Sequence, residues 1–537
     1  MKKIACILLI AAMLAGFAAG CGSGGQGGGA AVTQAVAATE VDAADAAGAN
    51  EADAAAAETT VKTADNAASA INGSDGEKVT LRILAFIGQG QFPEGSDENH
   101  NFLVDFLKEK TPYDYEFTFV DNGADGRNAL IAAGNIYDMV KLTNSKELLT
   151  LVRQDYIAPI DDILPAMKEL MNPAQISTAL WNIARVDGKT YGVPQEWSDP
   201  YVGFAMRVDW LKNMGLNPPV SLDDFTGILR AFKNNDPNGD GANVIPFTAC
   251  WGMGTALEFF RGVYGIHLEY MPIDGKITFV YATEKGKDMI AYMADLYTEG
   301  LMDPEIAVMN EEIIGQRLFT GQVGSAYIPW WTMKNWDTVF RDDMGFVESP
   351  FWWVAPPNGP DGKPSKLKEY GPIEHIMVYP KLGHVREAVD FSNRLLDPEI
   401  ADMLQFGIQG VHWDKDESGN RYLTDAYNDI VWRWHYGDNL GYRLDFMQAQ
   451  INLEYGPWRE PVQQWKGGVA TSTLLIPAIP DIDEIQANVG DYFTNEIAKF
   501  VMGERPMGEY DAFIDELKNL GLDEIVAKTQ IAYDAVK

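Results

Sequence analysis

The tryptophan residues are the feature of this 537-residue sequence that points most directly to chemistry. All 14 lie after residue 180, and several are close together, as in Trp330–Trp331, Trp352–Trp353 and the pair Trp432 and Trp434. An indole ring combines a large apolar face with one polar N–H, and sugar rings present an apolar C–H face with hydroxyl groups at the edge. A single tryptophan is more often part of a core, but this number predicts that several line a recognition surface.

A second pattern has the form of the first half of a calcium-binding loop. The oxygen-bearing side chains of Asp236, Asn238 and Asp240 alternate, and Gly241 follows at the sixth position. The twelfth position, which needs a bidentate glutamate, is Phe247. The ligand set is incomplete, so two interpretations stay open: a structural calcium site and an Asx-rich turn.

Motifs of common catalytic sites are missing from the sequence. It has no G-x-S-x-G, H-E-x-x-H or P-loop motif, and its six histidines have no metal-ligand spacing. Gly88-Gln-Gly90 follows a predicted strand but lacks the third glycine of a dinucleotide-binding loop. That loop is still a place where ligands bind in open α/β sheets. With 77 acidic residues, chance carboxylate pairs are certain, and spacing decides nothing about a glycosidase pair.

The charge balance excludes some classes of partner. The 77 Asp and Glu residues exceed the 42 Lys and Arg residues, which gives a formal net charge of −35. A nucleic-acid-binding protein needs a basic surface, and so does a protein held to anionic lipid by its charge. The sequence therefore predicts no nucleic-acid partner.

The N-terminus predicts export. Lys2 and Lys3 precede an apolar run, 4–17, and then three small residues, which is typical of a signal peptide over residues 1–20. The run is too short to span a bilayer. The junction before Cys21 resembles a bacterial lipobox, although Ala18 stands where leucine is usual. The resemblance implies that Cys21 is lipidated and becomes the first residue of the mature chain; ordinary secretion is the alternative.

Residues 21–78 differ in composition from the rest of the chain. After Cys21 the segment is rich in glycine and then in alanine, and it contains no aromatic residue. Such a segment buries too little apolar area to offset the entropy of ordering, so we expect a disordered tether. Only Cys250 remains in the mature chain beyond Cys21, so no intramolecular disulfide is expected.

Beyond the tether, strands and helices alternate. Apolar residues alternate from Val79 to Ala85, which predicts a strand, and they recur at helical spacing over 288–298, 385–396 and 510–520. This alternation predicts an α/β architecture with mostly parallel sheets. Residues 79–537 are too many for one core, so we expect two lobes.

Several segments resemble one known family. They are 186–194 (VDGKTYGVP), 207–211 (RVDWL), 222–225 (LDDF), the loop at Asp236, 296–301 (LYTEGL), 303–305 (DPE), 319–324 (FTGQVG), 500–506 (FVMGERP) and 520–524 (LGLDE). In this order they resemble the extracellular solute-binding protein family 1, and most closely its LplA-like lipoprotein branch.

The resemblance implies a periplasmic-binding-protein-like fold. Two α/β lobes would be joined by a hinge, with the ligand in the cleft between them. The chain would cross between lobes near 195–203 and 371–379. The N-terminal lobe would comprise residues 79–200 plus about 371–410, and the C-terminal lobe 201–370 plus about 411–537. Members of the branch often carry calcium at the loop that here contains Asp236, Asn238 and Asp240.

The resemblance also implies which residues line the cleft. Trp330 follows a proline where maltose-binding-type members carry a sugar-stacking tryptophan, and Trp331 is adjacent. The remaining expected ligand-binding residues are Glu196 and Trp197 at the first crossing, Trp251 after a strand, Gln89, Gln91 and Asn144 in the N-terminal lobe, and Arg207 and Trp413. No catalytic residue is expected.

The predicted function is ligand capture at the membrane surface. A monomeric, lipid-anchored lipoprotein would bind an oligosaccharide and deliver it to the permease subunits of an ABC importer. Four alternatives stay open: a secreted polysaccharide-degrading enzyme, a surface adhesion lipoprotein, a solute-binding domain that serves only as a signalling input, and a peptide or other small solute as ligand.

Overall fold

The structure is a computed structural model that describes residues 78–121, 124–195, 201–235, 237, 239, 243–368, 375–441, 443–463, 469–470 and 474–537. The predicted signal peptide, Cys21 and the predicted tether up to residue 77 lie outside the described residues. Among the helices that are described, none is both long enough and apolar enough to cross a membrane.

The described chain alternates strands with helices. The strands are β1 (Val79–Phe86), β2 (Tyr113–Val120), β3 (Met139–Leu142), β4 (Arg185–Val186), β5 (Lys189–Thr190), β6 (Gly192–Gln195), β7 (Val202–Arg207), β8 (Thr248–Ala249), β9 (Tyr270–Ile273), β10 (Lys276–Phe279), β11 (Ser325–Pro329), β12 (Phe351–Trp353), β13 (Leu367–Lys368), β14 (His375–Val378), β15 (Trp413–Lys415), β16 (Arg421–Leu423) and β17 (Val469–Ala470).

The helices pack on and between the sheets. They are α1 (Phe102–Lys110), α2 (Ala124–Ala132), α3 (Ser145–Arg153), α4 (Val208–Met214), α5 (Leu222–Asn234), α6 (Met253–Tyr264), α7 (Glu284–Thr298), α8 (Glu311–Phe319), α9 (Trp330–Thr338), α10 (Val385–Arg394), α11 (Pro398–Phe406), α12 (Trp434–Leu440), α13 (Leu444–Gln463), α14 (Asp483–Val501), α15 (Tyr510–Asn519) and α16 (Leu522–Val536). Short 3₁₀ segments include Leu180–Ala184 and Asp425–Arg433, and Val339–Asp343 forms one π turn.

Two sheets form the centres of two separate hydrophobic cores. The first sheet has the order β2-β1-β3-β14-β6, and the second has the order β12-β7-β11-β8. The first core contains residues of 81–193 and 376–440, and the second contains residues of 201–354 and 434–525. The whole of β3 and β11 is buried, as expected for strands that are covered on both faces. The described chain therefore has two lobes.

The sheets are mixed, so the expectation of mostly parallel sheets is wrong. In the first sheet, β1 runs parallel to β2 and β3, but β14 is antiparallel to β3 and β6. In the second sheet, β7 is antiparallel to β11 and β12, and only β8 and β11 are parallel. Both β7 and β14 are the first strand after a change of lobe. A chain that arrives from the other lobe enters its sheet from the side of the cleft. It therefore runs antiparallel to the neighbouring strands that end at the cleft.

The first core also contains residues beyond the boundary expected near residue 410. Tyr427, Trp432 and Tyr436 belong to the first core. The hydroxyl of Tyr436 donates to the backbone oxygen of Glu98 (2.6 Å). The side chain of Asn439 accepts from the backbone amide of Phe86 and donates to the backbone oxygen of the same residue. These contacts with β1 and the loop that precedes α1 attach α12 to the first lobe, while Trp434 of the same helix packs in the second core.

Candidate functional site

Residues that follow β1 in the first sheet and β11 in the second line one cavity between the lobes. The cavity has a volume of about 200 Å³, and its lining residues are Gln89, Trp330, Trp331, Trp434, Asp438, Ile451 and Tyr455. Gln89 comes from the first lobe, and Trp330 and Trp331 come from the second. We call this space the aromatic cavity. A molecule bound in it would contact both lobes.

An aromatic surface continues from the cavity. The ring of Trp331 stacks on Tyr201 with 5.7 Å between centroids and 8° between planes. Trp251 lies 6.2 Å from Trp331 and 6.4 Å from Tyr201, and 43% of it is exposed. Trp330 meets Trp331 edge to face at 5.1 Å and lies 4.7 Å from Tyr455. These rings offer flat apolar faces next to polar groups, which suits the C–H face of a sugar ring.

The end of β11 positions the two adjacent tryptophans. Pro329 ends the strand and caps α9, and the Trp330 amide donates to the backbone oxygen of Tyr201 (2.8 Å). This bond ties the start of α9 to the start of β7. The Trp330 Nε1 is buried and has no hydrogen-bond partner among the described residues. An unpaired buried donor costs about 1–3 kcal/mol, so this N–H is available to an acceptor on a ligand.

Two glycines and a histidine hold the loop that carries Gln89. A Cβ on Gly88 would lie 2.5 Å from the backbone carbon of Trp434, so only glycine fits at this approach. His435 Nδ1 accepts from the Gly88 amide (2.6 Å), and its Nε2–H donates to the Gly90 oxygen (3.1 Å). This pair of bonds requires the neutral Nε2–H tautomer. Burial lowers the pKa of His435, which favours the same neutral form.

One wall of the aromatic cavity carries charge. Burial raises the pKa of Asp438 to about 7, against the opposing effects of Arg433 and Lys141. Burial also lowers the pKa of Lys141 to about 7. The Lys141 ammonium donates to Gln195 Oε1 and to the Asn439 backbone oxygen. The cavity therefore contains a carboxyl group that titrates near neutral pH, beside an amine that does the same.

The structure brings together some of the residues predicted for the cleft. Gln89, Trp330 and Trp331 line the aromatic cavity, and Trp251 lies against its rim. Gln91 is exposed in the same loop but does not line this cavity. The predicted site is thus concentrated in the β1 loop and at the start of α9.

Three other predicted residues lie elsewhere. Arg207 is at the far end of β7, where its Nε bonds to Asp209 Oδ1 (2.8 Å) and its guanidinium stacks on Trp210 at 4.4 Å. Trp413 is buried, and its Nε1 donates to the Gly407 oxygen (3.0 Å). Asn144 caps α3 by accepting from the Glu147 amide (2.9 Å), and it lines a different cavity. Arg207 and Trp413 have structural partners and do not reach the aromatic cavity.

Some predicted residues lie outside the described part of the chain. They are Glu196, Trp197, Asp236, Asn238, Asp240 and Cys21. Within the part that is described, no group of three or more His, Cys, Asp or Glu side chains is arranged to hold a metal ion.

The prediction missed the contribution of α12 and α13. Trp434 and Asp438 lie one turn apart on α12, and Ile451 and Tyr455 lie one turn apart on α13. The cluster of Trp432 and Trp434 was a signal for this region. No local pattern in the sequence places α12 and α13 between the lobes.

A second and larger cavity also lies between the lobes. It has a volume of about 440 Å³, and we call it the polar cavity. Asn144, Lys146 and Leu149 form its wall on the first lobe, and Arg261, His267 and Glu269 form its wall on the second. Residues of 474–486 complete the lining. The two cavities share no lining residue.

Comparison with known proteins identifies the family. Residues 103–410 match the model of the bacterial extracellular solute-binding proteins. The polygalacturonan/rhamnogalacturonan-binding protein YtcQ of Bacillus subtilis (strain 168) is 25% identical over 502 residues, which cover 89% of this chain and 95% of YtcQ. Lipoprotein LipO of the same organism is 25% identical over 499 residues, covering 87% and 94% of the two chains.

A solved structure shows the same architecture. The Streptococcus pneumoniae ABC-transporter substrate-binding protein FusA, an EF-hand mutant in complex with fructo-nystose, superposes with a TM-score of 0.63 at 19% identity. The match covers 85% of this chain and 99% of FusA. The predicted two-lobed α/β fold and the predicted family are confirmed, and the chain belongs to the bacterial extracellular solute-binding proteins.

Proposed function

We propose that this chain captures an oligosaccharide between its lobes, with one sugar unit in the aromatic cavity and further units along the adjoining rings of Tyr201 and Trp251, and that it delivers this ligand to the permease subunits of an ABC importer. The observation that carries the proposal is a cavity in which four aromatic side chains of the second core lie together with Gln89 of the first lobe. A ligand that bridges the lobes favours their closed arrangement by the free energy of the contacts that exist only there. Relatives whose names include polygalacturonan and rhamnogalacturonan binding, and a similar structure with fructo-nystose, support a carbohydrate as ligand.

The cavity residues have complementary roles in this proposal. The face of Trp331, held flat by Tyr201, stacks on a sugar ring. The buried Nε1–H of Trp330 donates to a ring or hydroxyl oxygen. Asp438 accepts from hydroxyl groups, and Gln89 bonds from the lobe opposite Trp330 and Trp331. Few polar groups in a mostly apolar cavity fix the orientation of the ligand.

We infer that the chain does not break glycosidic bonds. Glycosidases use two carboxyl groups that flank the bond, about 5–9.5 Å apart. Among the described residues that line the aromatic cavity, Asp438 is the only carboxylate. The relatives named above are binding proteins and a lipoprotein, which also supports capture without turnover.

We further propose that Cys21 carries the lipid that holds the mature, monomeric protein at the outer face of the cell membrane. The support is the lipobox-like junction before Cys21 and the similarity to a protein named lipoprotein LipO. The predicted tether, 22–78, would then give the lobes reach toward the permease.

Calcium fits this chain poorly. Phe247 stands at the position that supplies the bidentate carboxylate of a calcium loop, and it is fully buried in the second core. Ser325 Oγ donates to the Pro246 oxygen (2.6 Å), and the Phe247 oxygen accepts from the Asp303 amide. These bonds hold Pro246 and Phe247 against the second sheet. We therefore propose ligand capture that requires no calcium.

A thermal-shift screen tests the proposed function. The purified chain is heated with plant and host oligosaccharides, with calcium and with chelator. A ligand at about 100 times its Kd adds about 2.7 kcal/mol to stability, which should raise the Tm by a few degrees. The proposal requires that one sugar class shifts the Tm, that the sugar is recovered intact, and that chelator leaves the shift in place.

The alternatives predict different outcomes. Cleavage of the sugar would establish the enzyme instead. Small-angle scattering separates capture in a cleft from adhesion at an open surface, because only a cleft binder becomes more compact with ligand. A shift with peptides and with no sugar would replace the ligand class.

A further inference from the structure

Buried polar atoms without partners concentrate in the polar cavity. Arg261 Nε, His267 Nδ1, Asp483 Oδ1 and Gln486 Oε1 are buried, and none has a hydrogen-bond partner within the described part of the chain. Asp483 and Gln486 lie three residues apart in the first turns of α14, so their oxygens share one face of the helix. A buried polar group without a hydrogen-bond partner is unfavourable. These atoms can therefore form hydrogen bonds with a molecule bound in the cavity.

The fixed charges that line the cavity cancel. Arg261 Nη1 lies 3.5 Å from Glu269 Oε1, so these two form an ion pair. Lys146 and Asp483 remain, and they have opposite signs. The lining offers no net charge to attract an anion or a cation. It offers acceptors on α14 and a ring nitrogen that donates or accepts according to its tautomer.

The size of the cavity exceeds what single ordered waters need. A water molecule occupies about 30 Å³ of liquid, whereas cavities that hold small ligands measure about 300–1,000 Å³. At about 440 Å³ the polar cavity is in the second range. Leu149, Ile476, Ile479 and Ile482 supply apolar lining beside the polar atoms. Hydroxyl groups both donate and accept, so a molecule rich in hydroxyl groups would satisfy all four unpaired atoms.

We propose that the polar cavity is a second binding site, for a neutral polyhydroxylated molecule of one or two sugar rings. It is separate from the aromatic cavity and does not depend on the function proposed for that cavity. Its walls come from α3 of the first lobe and from the second lobe, so its occupant also bridges the lobes.

Methyl NMR on the isoleucine-labelled full chain tests the proposal. Ile476, Ile479 and Ile482 report on the polar cavity, and Ile451 reports on the aromatic cavity. The probes are D-glucose, sorbitol and inorganic phosphate. We expect glucose or sorbitol to shift the signals of the three polar-cavity isoleucines in a saturable way, and phosphate to leave them in place.

Variants assign the binding to the cavity. Gln486→Leu and Asp483→Asn should each weaken binding of the polyol, measured from the isoleucine signals, at least tenfold. Two variants are used so that misfolding of one does not decide the result. Gln316→Leu, an exposed glutamine on α8, is the matched control and should change nothing. Trp331→Ala should leave the effect intact, because Trp331 belongs to the other cavity.

Three results would overturn the proposal: no saturable shift with either polyol, saturation by phosphate instead, or loss of the effect in Trp331→Ala. The readouts also separate this proposal from the proposed function. If the polar-cavity signals respond and Ile451 responds to no oligosaccharide, the second site stands while the function proposed for the aromatic cavity fails.

Discussion

Asp438 makes the affinity of the aromatic cavity depend on pH. Among the described lining residues it is the only charged side chain, and burial raises its pKa to about 7. Hydrogen bonds from hydroxyl groups to an ionised carboxylate are stronger than those between neutral groups. We therefore expect an oligosaccharide to prefer the ionised form and to lose affinity as the pH falls below about 7.

The pKa sets the size of the effect. If only the ionised form binds, a pKa near 7 predicts that the Kd rises about 30-fold between pH 8 and pH 5.5, which is about 2 kcal/mol. Lys141 faces Asp438, and burial lowers its pKa to about 7 as well. Because the two groups titrate together, the transition should be broader than that of one isolated carboxyl group, with the same sign. Burial also lowers the pKa of His375 well below its usual value, so His375 stays neutral in this range.

Isothermal titration from pH 5.5 to 8.5, with the oligosaccharide that the screen identifies, measures the effect. Asp438→Asn should bind more weakly at pH 8 and show a flat profile. Asp402→Asn is the matched control, since burial also raises the pKa of Asp402 but its partner is Arg421 (2.6 Å), outside the cavity. A wild-type Kd that is constant, or that falls toward acid, would contradict the role assigned to Asp438. An Asp438→Asn protein that keeps the wild-type pH profile would contradict it as well.

Three further predictions concern the rings, the β1 loop and its histidine. Trp331→Ala should raise the Kd for the oligosaccharide about tenfold, because a sugar ring that covers roughly 60 Å² of indole contributes about 1.5 kcal/mol. Titration of this variant measures the change, and Tyr422→Ala, which removes an exposed ring, is the control. Gly88→Ala should lower the Tm by several degrees because its Cβ would overlap backbone atoms, whereas Gly254→Ala, in open space on α6, should leave the Tm unchanged or raise it. Burial lowers the pKa of His435, so the neutral imidazole contributes to stability above about pH 6.5, and this contribution is lost as the pH falls below that value. Denaturant unfolding from pH 8 to pH 5 should show a decline in the free energy of unfolding. The decline should be smaller in His435→Gln.

Local patterns predicted the elements well. The apolar spacing over 288–298 corresponds to α7, and Gly300 follows it with a φ of 67°, as a helix-ending glycine should. The alternation from Val79 corresponds to β1. Both signals arise from neighbouring residues, so the sequence contains them in full.

The site was predicted only in part because it depends on contacts between distant residues. Arg207 is the last residue of a strand, and residues at strand ends line the ligand sites of parallel sheets. However, β7 starts at the cleft and runs away from it, and no local pattern reveals the direction of a strand. The Gly88 amide bonds to His435 and the Phe86 amide bonds to Asn439, across about 350 residues. These contacts place α12 at the cavity, and a single sequence does not disclose them.

The position of α12 determines which residues can drive closure of the lobes. Trp434 packs in the second core, and Tyr436, two residues later, packs in the first, so α12 contacts both lobes. A ligand changes the lobe arrangement only through contacts that differ between the open and closed states. Contacts with Asp438 are carried by α12 itself, so they can persist in either arrangement and contribute mainly to affinity. Gln89 and Trp331 come from opposite lobes and reach one ligand together only when the lobes are close. At equal occupancy, ligand should therefore make the Trp331→Ala protein less compact than it makes the Asp438→Asn protein.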